Sequence, residues 1–179
     1  MYFRRHIPLL IALLANGLLW LILTELNHHL GTWSLTILIP AAFVLYAGLN
    51  LRFVPGMTAC LLAGFLQDAA LPLSPHGFFT LTLPTLHLAF YRLRGKLHRE
   101  GGLDTVLLAQ ILNLVTILVL AIHLGRGLNG GITRYLPALL LQTLLAQVLL
   151  FCIGGYFLET QRRLAKYLNP ESMDEKART

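Results

Sequence analysis

One carboxylate in this 179-residue chain stands inside an apolar run. Asp68 follows the nearly uncharged stretch MTACLLA (57–63) and closes Gly64-Phe-Leu-Gln-Asp68, with the amide of Gln67 beside it. An acid placed there could bind a cation or relay a proton. It could equally fasten helices together by accepting hydrogen bonds. Ion transport through a membrane interior needs a second ionisable group nearby, yet Glu25, Asp104 and Glu159 all fall at the ends of apolar runs. The fastener reading is therefore favoured. The candidate partners are Gln67, the turn around Ser74–Gly77, and the outer cations Arg126 and Arg134.

Other reactive side chains give no catalytic, cofactor or metal pattern. The serines are Ser34, Ser74 and Ser172, none in a GxSxG elbow. The histidines form no HxxxH or HExxH pair. His28 and His29 are expected in an outer loop, and His87 and His123 as satisfied interior or helix-end residues. Cys60 and Cys152 make no CxxC and are expected as small buried residues with free thiols.

The elements that position Asp68 follow from the solvent. Hydrophobic residues make up 56% of the chain and charged residues only 12%, with mean hydropathy +0.67. Soluble domains carry about a quarter charged residues, so a bilayer is the expected surroundings. Spans need about 20 apolar residues, and six segments qualify: Ile7–Leu26, Trp33–Leu51, Phe53–Leu71, Gly77–Tyr91, Leu103–Leu124 and Tyr135–Leu158. The first is too long for a signal-peptide core and has no small-residue cleavage site after it, so it is expected to stay as a helix. Pro40 and Pro84 are expected to kink the second and fourth helices, with Thr80, Thr82 and Thr85 able to satisfy the carbonyl that Pro84 frees. Residues 1–158 form one all-α domain in this scheme. Residues 159–179 form a basic cytoplasmic tail, starting as a brief surface helix (TQRRLAKYLN) and ending disordered.

In the third segment Gly56, Cys60, Gly64 and Asp68 recur every four residues. Cys60, Gly64 and Asp68 thus share a helix face on which small residues admit a neighbouring helix closely. Asn113, Thr116, Gln142 and Gln147 are candidates for interhelical hydrogen bonds, and Asn16 and His87 for interior polar groups.

The net charge of +6 does not point to nucleic acid, because the basic residues sit in short clusters between apolar runs. They give an orientation instead. With the N-terminus inside, twelve of the 14 Lys and Arg are cytoplasmic: Arg4, Arg5, Arg52, Arg92, Arg94, Lys96, Arg99, Arg162, Arg163, Lys166, Lys176 and Arg178. Arg126 and Arg134 lie outside. Six spans with both ends inside satisfy this count, and the basic inner loop Arg92–Gly102 would meet lipid headgroups.

One stretch carries a resemblance. A second apolar helix ends in a short basic turn. A third runs into G-x-x-x-D, here Gly64 to Asp68; a short loop with a glycine follows, Ser74-Pro75-His76-Gly77. The next apolar helix closes in a basic cluster, Tyr91-Arg-Leu-Arg94. From Leu35 to about Arg99 this resembles the rod shape-determining MreD family, departing from it at Thr32-Trp33-Ser34, where the family carries an acid. The resemblance implies a non-enzymatic bacterial inner-membrane subunit of the cell-elongation machinery, serving cell shape and peptidoglycan synthesis. It implies a single-span MreC-like partner, contacts with RodA and a class B penicillin-binding protein, and a fold like the substrate-binding subunits of energy-coupling-factor transporters. Gly56, Cys60, Gly64, Gln67, Asp68 and Gly77 are the packing and partner candidates, with Trp33 as an outer aromatic. The alternative on the same six-helix plan is a vitamin-type carrier subunit.

Overall fold

The computed structural model describes residues 6–70, 77–100, 102–125 and 136–168; of residues 95–100, 102, 103 and 125 it describes the backbone. Six helices follow in order: α1 Ile7–Gly31, α2 Pro40–Asn50, α3 Phe53–Ala70, α4 Phe78–Glu100, α5 Gly102–Gly125 and α6 Leu136–Leu168. No strand occurs among the described residues.

Among the described residues, four helices are long and apolar enough to cross a bilayer: α1, α3, α5 (over Asp104–Leu124) and α6. Their outer faces carry large apolar side chains, such as Leu14, Leu18, Phe65, Ile111, Leu118, Leu140 and Leu144. The polar groups Asn16, Gln67, His87, Asn113, Thr116 and Gln161 point inward and are buried. Exposed apolar patches on this scale do not occur on water-soluble monomers, and this inside-out distribution marks a membrane protein.

At the centre lies α2. Residues Pro40 to Leu49 are all buried, and α2 touches each of the other five helices. It begins later than the expected Trp33 start. Ser34 takes a left-handed backbone (φ 57°) that stops α1 from running on, and residues 35–39 are non-helical. Proline disfavours the helical region for the residue before it, and Ile39 adopts φ −127°, ψ 56°. Pro40 is then the first helical residue, where its missing N–H costs nothing. It starts α2 rather than kinking a longer helix.

Three other boundaries differ from expectation. α1 continues to Gly31, so His28 and His29 lie on its exposed last turn rather than in a loop. α4 continues to Glu100, so the basic run Arg92–Arg99 is helical and not a loop. No breaker intervenes before Gly101-Gly102 except Gly95, a single glycine that a helix tolerates. α6 runs unbroken through Leu158 to Leu168, so TQRRLAKYL extends it instead of forming a separate helix. At 33 residues it is roughly 50 Å long, well beyond a hydrocarbon core of about 30 Å.

Candidate functional site

The Gly56–Asp68 face of α3 packs on α4. Gly56, Ala59, Cys60, Ala63, Gly64 and Gln67 are its buried residues. Gly64 is where the two backbones come closest: a Cβ there would overlap the carbonyl of Phe79 and lie 2.7 Å from the Cα of Thr80. Only hydrogen fits. One turn further along the face, Asp68 reaches the first turn of α4. Its Oδ1 accepts from the Phe79 N–H at 2.9 Å. Its Oδ2 accepts from the Thr80 N–H at 2.9 Å and from the Thr80 hydroxyl at 2.7 Å.

The first four N–H groups of any helix lack intrahelical acceptors, and that end carries a partial positive charge. A carboxylate from one helix thus caps the next. Gly77 turns the chain into α4 with φ +81°, a conformation glycine adopts without strain. The expected threonine roles shift accordingly. Thr80 serves Asp68, whereas Thr82 and Thr85 back-bond to the carbonyls of Phe78 and Leu81. The other expected Asp68 partners, residues 74–76, Arg126 and Arg134, lie outside the described residues.

At the far end of the α3–α4 interface, Gly56 makes room for the ring of His87: an added Cβ would fall 2.8 Å from Nε2. His87 is fully buried. Its Nε2 lies 3.2 Å from the Phe53 carbonyl, which fixes that nitrogen as the donor, and its Nδ1 has no hydrogen-bond partner among the described residues. The rings of Phe53 and Tyr91 flank it at 5.9 Å each. Arg94 sits 4.0 Å above the Tyr91 ring and donates to the Leu51 carbonyl at 3.3 Å. Arg162 of α6 donates to Asn50 Oδ1 at 3.2 Å, so Arg94 of α4 and Arg162 of α6 converge on the C-terminal end of α2. Arg52, Arg92, Arg163 and Lys166 are exposed, and Arg163 pairs with Glu159 at 3.0 Å. Arg4 and Arg5, and the side chains of Lys96 and Arg99, lie outside the described set.

The non-helical segment before α2 is held by polar side chains from three helices. Asn27 of α1 accepts from the Ile37 N–H at 2.7 Å and donates to the Ile37 carbonyl at 3.0 Å. Asn113 of α5 bridges the Leu38 carbonyl and the Ala41 N–H, each at 3.4 Å. Gln142 of α6 donates to the Ser34 carbonyl at 3.0 Å. Irregular backbone at membrane depth survives only where protein supplies such partners.

Elsewhere, Asn16 donates to the Phe43 carbonyl and Trp20 to that of Leu66, both at 2.9 Å. Gln110 and Gln147 each donate to the other's backbone carbonyl, at 2.9 and 3.1 Å. Thr116 bonds within its own helix, to Leu112. The sequence reading missed Asn27, Trp20 and Gln110. Asn27 falls just past the expected span Ile7–Leu26, and indole or amide donors on an apolar face are the signal for the other two. Cys60 is buried as expected, but Cys152 is exposed, on the outer face of α6 beside Phe151. No cluster of three or more metal-ligating side chains exists among the described residues.

These features define an all-α membrane protein whose inward polar groups hold helices and backbone in place. No family model, curated protein or solved structure matches the chain.

Proposed function

We propose that this chain is a non-enzymatic, MreD-like subunit of the bacterial elongation machinery. It crosses the inner membrane six times with both ends cytoplasmic and holds a single-span MreC-like partner. RodA and a class B penicillin-binding protein act alongside. The observation that carries this reading is the braced α3–α4 hairpin. Of the residues behind the resemblance, Gly64, Asp68 and Tyr91 meet across the α3–α4 interface, while Gly77 turns the chain into α4 and Arg94 stacks on Tyr91. The described interior polar groups mostly bond backbone, which leaves the outer apolar faces for lipid and partner helices.

Six crossings accord with the geometry. The five non-helical residues Leu35–Ile39 extend up to roughly 16 Å and the 11 residues of α2 add roughly 16 Å, together about the thickness of the hydrocarbon core. Arg94 and Arg162, which meet the end of α2, then share one side, as the positive-inside rule requires.

Co-expression with an MreC-like single-span protein, followed by mild extraction, tests the reading: the two co-purify, and reporter fusions place both termini inside. Solitary elution while a control pair survives, or a periplasmic terminus, defeats it. Stabilisation by one vitamin in a thermal-shift panel transfers the chain to the carrier class, whose pockets are typically 300–1,000 Å³.

A further inference from the structure

The joint between α2 and α3 is gripped by arginines. Arg94 of α4 donates from Nη1 to the Leu51 carbonyl at 3.3 Å and lies 4.0 Å above the Tyr91 ring. Arg162 of α6 donates from Nε to Asn50 Oδ1 at 3.2 Å. Arg52, the next residue of the joint, is exposed. Guanidinium groups from three separate stretches of chain thus gather at the consecutive residues Asn50, Leu51 and Arg52. Arg94 and Arg162 are half-buried, and the groups that hold them are a carbonyl, a ring and an amide oxygen, all neutral. Among the described residues no carboxylate pairs with any of the three: Glu159 is taken by Arg163, and Asp104, in the first turn of α5, makes no ion pair. A guanidinium carries five N–H donors, and Arg94 and Arg162 each spend one on protein. The remaining donors form forks that match phosphate oxygens.

The depth of this joint follows from α3. That helix begins at Phe53, and its 18 residues are apolar enough to cross a bilayer. They extend roughly 27 Å, about the full hydrocarbon thickness, so Arg52 stands at headgroup level immediately before them. Phe53 and Val54, next to it, are exposed and offer acyl chains an apolar surface. We propose that Arg52, Arg94 and Arg162 form a specific site for the headgroup of one anionic phospholipid, with Arg94 and Arg162 as the phosphate anchors and Arg52 as the exposed rim. The headgroup depth and the outward apolar side chains select a lipid over an acidic peptide. The absent counter-charge selects an anionic lipid over a zwitterionic one, whose ammonium would add a cation to a joint already short of negative charge. The inference rests on the membrane class of the protein and not on the elongation reading.

The test uses the full chain in a neutral detergent, offered equal amounts of palmitoyl-oleoyl phosphatidylglycerol and palmitoyl-oleoyl phosphatidylcholine, with retained lipid read by native mass spectrometry. Wild type keeps phosphatidylglycerol at least about fivefold over phosphatidylcholine. Arg94→Gln and Arg162→Gln each lower that retention about fivefold, the contribution of one basic residue near an anionic surface. Arg163→Gln removes the same charge, but one already met by Glu159, and keeps the wild-type level. Because Arg94 and Arg162 also hold the joint, a second measurement uses wild type alone. Phenylglyoxal, which modifies arginine, reacts more slowly in phosphatidylglycerol vesicles than in phosphatidylcholine ones, with the greatest slowing at Arg52, Arg94 and Arg162 and less at Arg163. Equal retention of the two lipids by wild type, a loss in Arg163→Gln as large as in the other variants, or uniform slowing at every arginine overturns the proposal. Protection by inorganic phosphate as strong as by phosphatidylglycerol also overturns it, assigning the joint to a soluble anion.

Discussion

Replacing Asp68 tests the cap that joins α3 to α4. Asp68→Ala removes the acceptor for the Phe79 N–H, the Thr80 N–H and the Thr80 hydroxyl together. A hydrogen bond to a charged group contributes about 1.5–3 kcal/mol, a lost N-cap costs about 1, and the helix dipole adds about 0.3–1. These contributions are not additive, and water or headgroups at the helix end recover part of the loss. The net expected cost is about 2–4 kcal/mol. Asp68→Asn keeps one carbonyl acceptor, and asparagine caps well, so it costs only about 1 kcal/mol. Thr80→Val removes the hydroxyl bond alone and costs no more than that.

Cys60 supplies the readout. It is fully buried at the same interface, and Cys152 is the chain's one other cysteine. In a Cys152→Ser background, the rate of Cys60 labelling by a thiol dye in detergent reports opening of the hairpin. Asp68→Ala raises it at least about 30-fold, with Asp68→Asn and Thr80→Val near fivefold. An unchanged rate in Asp68→Ala, or an asparagine variant faster than the alanine one, refutes the capping argument.

Gly64→Ala drives a methyl into the backbone of Phe79 and Thr80 and costs about 1–3 kcal/mol, lowering the detergent melting temperature. Gly17→Ala, where nothing lies within 4 Å of the added Cβ, stabilises by about 0.5–1 kcal/mol through helix propensity. Asn113→Leu keeps the branched outline, with bulkier methyl groups, but strips the Leu38 carbonyl and the Ala41 N–H of their partner, a loss of about 1–3 kcal/mol visible as earlier melting. Gln110→Ala and Gln147→Ala each remove one donor and cost about 0.6 kcal/mol, with an upper range near 1.7, and because each acceptor is the other residue's backbone carbonyl the two losses add in the double variant. A single substitution that abolishes the whole effect, leaving the second without further cost, would contradict the two backbone acceptors.

Much of the helical plan is legible in the sequence because lipid imposes length and apolarity on each span. The small-residue row that faces α4 follows from its four-residue repeat. The break before α2 is harder to see, since Trp33–Leu51 is apolar throughout and hydropathy cannot tell a helix from an extended strand of similar composition. Its signals are stereochemical: the Ile39-Pro40 step, and two β-branched residues, Thr36 and Ile37, in front of it. The basic run after Tyr91 reads as a loop only if charge is taken for turn chemistry; lysine and arginine are good helix formers. The partner of Asp68 is illegible for another reason. Two of the donors that Asp68 accepts from are backbone N–H groups, which no residue type at positions 79 and 80 announces; only the Thr80 hydroxyl is a side-chain signal.

The same asymmetry runs through the interior. Asn16, Trp20, Asn27, Gln110, Asn113, Gln142 and Gln147 each place a side chain on a backbone carbonyl. A backbone acceptor is present whatever side chain it carries, so only the donor residue is chemically constrained. In lipid, where an unsatisfied donor is costly, this ties helices together while leaving the acceptor positions Phe43, Leu66 and Ile37 answerable to packing alone. Conservative changes there, such as Leu66→Met, keep the bond. Truncating Trp20 removes it, and by the same logic Asp68 is constrained in chemistry while Phe79 is constrained only in shape.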